Sequence, residues 1–376
     1  CISTIGGNMK SVRSTTHFSM LLGFCLPAST LAQYSPSSLN ELQVYGRLDL
    51  SLNSIRISNA QSMKTLSSDV SHIGFRGAED LGGGVQALFK LETGIDASTG
   101  AAGGPLNLGN GAHPPAGTPT TAFFNREAYV GIKAGWGRIE LGSHWGPGIW
   151  LTLRTDPFGR SQMGSQLLIL QGTASRGYTP MFNNSAQYSI KLTDRVTARI
   201  LLQAPEGTFN RNHAGLIEYS GDRLYAGFMY DSAQINLATA AVGIDAGAAN
   251  TRSRTLAAGA TYRFDHLKLW GYIQNNVVSG LRNATGYNLG ISIPWGRGEF
   301  RGSLTHTGNP GKEASLAALG YTRFLSRRTQ VYITVARLDN SAATRIGLFP
   351  TTADGAIPAA GGASLTGSQV GIRHFF

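Results

Sequence analysis

The chain has 376 residues and a formal net charge of +11 at pH 7, because 32 lysines and arginines outnumber 21 aspartates and glutamates. Glycine accounts for 49 residues, about double its ordinary share. No apolar stretch after residue 32 approaches the roughly 20 residues that a transmembrane helix requires, which excludes a helical membrane protein. Both cysteines, Cys1 and Cys25, precede residue 33, which excludes an exported domain stabilised by disulfides.

The N-terminal region has the pattern of a secretory signal peptide. A basic segment without acids, Met9–Arg13, precedes the apolar run Phe18–Pro27, and the small residue Ala32 ends the segment. The apolar run is too short to span a bilayer. The sequence therefore predicts upstream residues and a cleaved signal peptide over 1–32, followed by one domain over 33–376.

Strict alternation marks the first strand after this leader and the last strand of the chain. Between Leu42 and Leu52, leucines and Val44 occupy one face, and polar residues such as Arg47 occupy the other. The segment Val370–Phe376 alternates in the same way and ends in an aromatic residue. Successive side chains of a strand point to opposite faces, so each segment has one apolar and one polar side.

Fourteen further segments with this alternation lie between these two, so we predict sixteen strands in all. The connections are alternately short, as at 135–137 and 221–223, and long, as at 94–123 and 145–175. Alternating turns and loops are typical of bacterial outer-membrane barrels. The predicted strands are 42–52, 69–77, 85–93, 124–133, 138–144, 176–191, 196–204, 213–220, 224–231, 254–264, 267–276, 286–294, 299–307, 315–325, 329–338 and 367–376.

Five local motifs span the chain after the leader: Ser71–Gly84, Phe124–Gly131, Asp156–Gly159 in the third long loop, Leu325–Tyr332 and Val370–Phe376. Together they resemble motifs of the trimeric porins of Gram-negative bacteria, in particular the general porins of beta-proteobacteria, which have lysine at the position of Arg327. The resemblance implies an all-β fold, a sixteen-stranded antiparallel transmembrane β-barrel with an inward-folded third loop that narrows a water-filled pore. It also implies a homotrimer in the outer membrane.

Strand alternation predicts which charged side chains line the pore. An arginine or lysine on the lipid face costs about 2–4 kcal/mol near the bilayer midplane, so the charged face of each strand should face the lumen. Alternation determines the face of a residue but not its depth, so each residue lies either at the constriction or elsewhere on the wetted wall. The predicted pore-lining residues of the strands are Arg47, Arg76, Lys90, Arg138, Glu140 and Arg199.

The third loop adds more positive than negative charge to this predicted constriction. Between His144 and Gln171 the only acid is Asp156, against Arg154 and Arg160. A positive passage attracts anions, so we expect an anion preference. Aromatic residues of this loop either guide a preferred solute or anchor the loop to the wall; they are Trp145, Trp150 and Phe158.

The sequence contains no pattern typical of catalysis, metal binding or a cofactor. The histidines lack a metal-ligand spacing, and no nucleophile elbow occurs. We therefore predict no enzyme activity and a passive porin for small hydrophilic solutes and ions. The alternatives are a substrate-specific channel and a barrel-embedded enzyme. The expected partners are two further copies of the chain, outer-membrane lipid and lipopolysaccharide, and small solutes and anions, but no nucleic acid.

Overall fold

The structure is a computed structural model that describes residues 42–58, 62–102, 123–170, 177–205, 212–235, 251–348 and 361–376. The predicted leader over 1–32 lies outside these residues. No helix in these seven ranges is long and apolar enough to cross a bilayer. The elements are β1 (Leu42–Ile57), β2 (Met63–Ser68), β3 (His72–Gly82), β4 (Val85–Asp96), β5 (Ala101–Ala102), β6 (Ala128–Ala134), β7 (Gly137–Trp145), α1 (Pro147–Thr155), α2 (Leu167–Leu170), β8 (Met181–Lys191), β9 (Val196–Gln203), β10 (Asn212–Ser220), β11 (Leu224–Ile235), β12 (Thr251–Arg263), β13 (Lys268–Val278), β14 (Ala284–Trp295), β15 (Gly298–Asn309), β16 (Lys312–Phe324), β17 (Thr329–Asn340) and β18 (Ser364–Phe375).

The strands form one closed antiparallel barrel. Strand β1 pairs with β3 on one side and with β18 on the other, so the sheet has no free edge at this seam. At the end of the seam, the Phe376 amide donates to the Gly46 carbonyl at 3.2 Å, and the Gly46 amide donates back. Short β2 and β5 are additions, which leaves sixteen strands in the ring. The predicted fold class is confirmed.

The second predicted strand, 69–77, begins later than predicted, at His72 of β3, and β2 is a short strand before it that the sequence did not predict. Strand β2 pairs with residues 50–55 of β1, and β3 pairs with residues 42–47 of β1. Residues 69–71 separate β2 from β3. Val70 lies in this break at a φ of 59°, a conformation that a β-branched residue rarely adopts. Strand β8 also starts later than predicted, because residues 178–180 still belong to the returning loop, where the Thr179 amide donates to Asp231 at 2.7 Å.

The two faces of the barrel have opposite character. On the outside, alternate positions carry exposed apolar side chains, such as Ile200 at 54% exposure and Ile372 at 49%. Their neighbours Arg199 and Arg373 lie on the inner face, where they contact acids at 3.4 Å and 2.6 Å respectively. Hydrocarbon cannot hydrogen-bond a charged group, so this separation is what a bilayer requires.

The third long connection, which we call L3 (146–180), enters the barrel over its described parts, 146–170 and 177–180. Helix α1 begins after Gly146 with Pro147 in its first turn, where a missing N–H costs nothing. The helix contacts β10, β11, β12 and β13, and α2 contacts β14, β15 and β16. The two helices of L3 therefore follow the inner wall from β10 to β16.

The outer face leads to a prediction about assembly. Replacing Ile200 with arginine should destabilise the barrel in lipid vesicles by about 2–4 kcal/mol, because the new charge faces hydrocarbon near the middle of β9. The Ile200→Ala variant removes the same side chain without adding charge and is the matched control. Gel mobility with and without heating measures the folded fraction across a urea titration. Equal losses in both variants would contradict the assigned outer face.

Candidate functional site

L3 rests on the barrel wall through apolar side chains that occupy the space above glycines. Leu151, Phe158, Met163 and Leu170 are completely buried in the core between loop and wall. A Cβ atom built on Gly290 of β14 would lie 2.2 Å from Pro157 Cγ. The same holds at several other inward glycines, where a Cβ would lie 2.4–2.9 Å from L3 side chains: Gly227, Gly259, Gly286, Gly320 and Gly367. The glycines let the loop pack against the wall.

Asp156, the one acid of L3, stabilises the loop's own backbone. Its carboxylate accepts hydrogen bonds from the Phe158 amide at 2.9 Å, the Arg160 amide at 3.1 Å and the Ser165 hydroxyl. The side chain is 1% exposed. Burial raises the pKa of Asp156 above its usual range, although these hydrogen bonds act in the opposite direction. The carboxylate does not face the open lumen.

The two arginines of L3 lie in different places. Arg160 is buried, with a guanidinium that donates to the Thr152 hydroxyl at 2.5 Å and to the Tyr178 hydroxyl. Arg154 extends from the end of α1 to the Ser220 hydroxyl at 3.3 Å, and its guanidinium lies 4.9 Å from the Tyr225 ring centre. Arg160 therefore holds the loop together, whereas Arg154 points along the wall.

The wall of β4, β6 and β7 carries alternating cations and carboxylates. Lys90 donates to Glu127, and Arg126 donates to Glu92. Glu92 also accepts from the Tyr45 hydroxyl at 2.7 Å. Lys90 and Glu92 lie on β4, whereas Arg126 and Glu127 directly precede β6. The side chains of these four charged residues are at most 17% exposed. This wall presents paired charges to the lumen.

Arg138 and Glu140 continue the wall on β7. The Arg138 guanidinium donates to Glu140 and, at 2.8 Å, to the Tyr129 hydroxyl. Gln187 of β8 donates to the other Glu140 oxygen at 2.7 Å. Glu140 is 1% exposed, so Arg138 is the more accessible member of the pair.

Arg47 and Arg76 differ from these cations because neutral groups hold them. Arg47 donates to the Val70 carbonyl at 2.9 Å, which the break after β2 turns inward. Arg76 donates to Gln43 at 3.1 Å and lies 4.7 Å from the Tyr45 ring centre. Neither has a carboxylate within salt-bridge distance among the contacts of the described residues. Their positive charge is consequently less compensated than that of Lys90 or Arg138.

A buried polar network fixes the tip of L3 to the barrel seam. The Tyr332 hydroxyl lies between Asp49 at 2.8 Å and Asp69 at 3.0 Å. Arg373 of the last strand pairs with Asp49 at 2.6 Å and also donates to Ser161 of L3. The tip of the loop is therefore held by the same residues that join the first and last strands.

The loop aromatics anchor L3 rather than forming an exposed track. Phe158 is completely buried and Trp145 is 6% exposed. The Arg126 guanidinium lies 4.6 Å from the Trp145 ring centre, and the Arg199 guanidinium lies 4.7 Å from that of Trp150. Arg199 also pairs with Glu218 at 3.4 Å.

Strand alternation did not identify two important arginines. Arg126 lies before β6 begins at Ala128, so alternation extended backwards through it would place it on the wrong face. Arg373 alternates with Ile372 in the last strand, so its inward orientation could have been predicted from the sequence pattern. The predicted pore-lining residues of β1, β3, β4 and β7 lie on one side of the lumen, whereas Arg154 and Arg199 lie at a distance from them, near β9, β10 and β11.

Comparisons with known proteins agree with this architecture. A family model described as Gram-negative porin matches residues 19–343. Outer membrane porin protein 32 of Delftia acidovorans is 28% identical over 335 residues, which cover 83% of this chain and 86% of the relative. The solved structure of the anion-selective porin from Comamonas acidovorans matches with a TM-score of 0.71 at 24% identity, over 90% of this chain and all of that one. The trimer form of OmpT from Vibrio cholerae matches with a TM-score of 0.60 at 11% identity, over 90% of this chain and all of that one.

The glycine contacts predict how sensitive the loop position is. Replacing Gly290 with alanine should displace L3, because the new methyl group overlaps Pro157, and should cost about 1–3 kcal/mol. Gly271→Ala on the neighbouring strand is the control, because a Cβ there meets nothing closer than 3.9 Å. Single-channel conductance should change in the first variant only. Identical conductance in wild type and both variants would contradict this seat for the loop.

Proposed function

Because this chain belongs to the Gram-negative porin family, we propose that it is a homotrimeric diffusion channel that prefers anions. The chain is an outer-membrane channel and not an enzyme. The proposal concerns its selectivity, its constriction and its assembly. The constriction lies between L3 and the wall formed by β1, β3, β4, β6 and β7, and the solutes are small hydrophilic molecules and ions.

The position of Asp156 is the observation that carries the anion preference. A loop that offers exposed carboxylates to a basic wall would create a transverse field with both signs. Here the single acid of L3 is buried and engaged by its own turn. The loop therefore leaves the cations of the opposite wall without acidic partners across the passage.

The charge balance of the wall supports the same conclusion. Glu92, Glu127 and Glu140 each pair with a cation of their own wall. Arg47 and Arg76 are held by carbonyl, amide and aromatic groups, so their charge is less compensated than that of Lys90 or Arg138. In a narrow passage with low-dielectric walls such charges raise the local anion concentration. The similar fold of a porin titled as anion-selective is consistent with this view.

Assembly and lipid contacts form the second part of the proposal. The apolar outer face suits both lipid and the outer face of another copy, and a related fold is known in a trimer form. We expect lipopolysaccharide and other outer-membrane lipids to cover the part of this face that the neighbouring subunits leave open.

Arg76 provides a direct test of selectivity. In a KCl gradient across a planar bilayer, the wild-type reversal potential should have the sign of an anion-selective channel, and Arg76→Glu should shift it toward cations. Salt screens such fields over about 10 Å at 0.1 M, so the shift should be largest in dilute salt. Arg337→Glu on the exposed outer face is the control and should leave the potential unchanged. A potassium-selective wild type would refute the proposal.

The oligomeric state can be tested independently of conduction. The detergent-solubilised protein should have the mass of three chains by size exclusion with light scattering, and heating should convert it to the monomer. Cross-linking in outer-membrane fractions serves as a control for dissociation by detergent. A single-chain mass in both experiments would exclude the trimer.

A further inference from the structure

A second group of cations lies on the inner wall opposite the proposed constriction wall. In the strand register Arg263 faces Lys268, Lys268 faces Ser292, and Ser292 faces Arg301. These residues form one row across β12, β13, β14 and β15. All four occupy inward positions, since they alternate with outward apolar residues such as Leu269 and Phe300. Neighbouring strands lie about 4.8 Å apart, so the backbones of Arg263 and Arg301 are about 14 Å apart, with Lys268 and Ser292 between them. Long cationic side chains can span this distance toward one small ligand.

The row lies at the short-turn end of the barrel, beneath L3. Lys268 directly follows the turn between β12 and β13. Ser292 is one inward position closer to the turns than Gly290, on which Pro157 rests. Arg154 reaches down from α1 to Ser220 at the same end. Lys268 lies within electrostatic range of the Glu299 carboxylate as well as of Arg154, Arg263 and Arg301, so side chains of the loop and of the wall lie near one another.

The positive charge of this cluster exceeds its local compensation. Glu299 pairs with Arg301 at 2.9 Å. Lys268 lies 3.5 Å from the Trp270 ring centre, and Arg154 lies over the Tyr225 ring. Aromatic faces attract cations without neutralising them. Arg263 donates to the Asp222 carbonyl at 2.8 Å, so it too retains its full charge.

The surroundings favour a compact ligand with more than one negative charge. Arginine and lysine side chains are the usual donors to carboxylate and phosphate oxygens. The Ser292 hydroxyl already accepts from the Trp270 indole at 2.6 Å and can donate to an anion. A monovalent ion would leave most of this charge unmatched, whereas a small dianion can contact Lys268 and a guanidinium together.

We propose that Arg154, Lys268, Arg263 and Arg301 form a binding site for a small oxyanion with two charges, separate from the constriction and on its short-turn side. The site rests on the proposed function, because it requires anions to enter the lumen. The site holds a dianion close to the short-turn mouth of the pore, either before the dianion enters the constriction or after it has passed through. Phosphate and dicarboxylates share the required oxygen chemistry, and both belong in the test.

Block of single-channel current tests this site in the reconstituted full-length channel. Inorganic phosphate or succinate added to the short-turn side should interrupt the chloride current reversibly. In Lys268→Gln the half-blocking concentration should rise roughly tenfold, the loss expected for a charge-assisted contact. Arg154→Gln should weaken block similarly and serves as a second variant. Lys268→Arg should retain block. Heat-modifiability gels confirm that each variant is folded.

Lys133→Gln is the matched control. Lys133 faces the lumen at the same end of the barrel but lies on β6, where it faces Arg138 in the register. If block by phosphate depends only on the overall positive field of the lumen, Lys133→Gln and Lys268→Gln will raise the half-blocking concentration equally, which would overturn the site.

Absence of block in an anion-selective wild type would also overturn the site and would leave the proposed selectivity intact. Block that depends on Lys268 in a cation-selective wild type would instead refute the proposed function alone. Block by succinate but not by phosphate, or the reverse, would identify the preferred class of anion and support the site.

Discussion

The requirement that no backbone hydrogen bond remain open in hydrocarbon controls this structure. A sheet in a bilayer must close on itself, and closure here occurs where β1 meets β18. Once the ring is closed, every strand has one face toward lipid and one toward the lumen. The apolar outer face and the charged inner face follow from this single constraint, and so does the use of arginines that a lipid-facing position would exclude.

The lumen is organised by a second requirement, that L3 pack firmly without filling the pore. Inward glycines on several wall strands bring loop side chains close to the backbone, and the apolar core between them excludes water from one side of the loop. The tip is held by Arg373, Asp49 and Tyr332 at the seam. Barrel closure and the position of L3 are consequently coupled, because Arg373 of the last strand contacts both β1 and the loop.

The burial of Asp156 links this packing to function. A carboxylate that stabilises a turn inside an apolar loop cannot also oppose the cations across the passage. Under the proposed function, the packing of L3 therefore determines the sign of the field at the constriction. The same loop directs Arg154 toward the short-turn side, where it joins Lys268 and its neighbours. One loop thus separates the cations of the lumen into two groups.

The sequence alone determined the number of barrel strands, their inner and outer faces and the location of the long loops. Alternation is a local property of the chain, so Ile200 and Arg199, or Ile372 and Arg373, report their faces without any knowledge of the fold. Only the tertiary structure decided the break at Val70, the partners of Arg126 and Glu92, and the burial of Asp156. These depend on strand register and on the path of L3, which bring together residues distant in sequence. The row of Arg263, Lys268 and Arg301 likewise exists only through pairing across strands, because alternation determines which side a residue faces but not the height at which it lies.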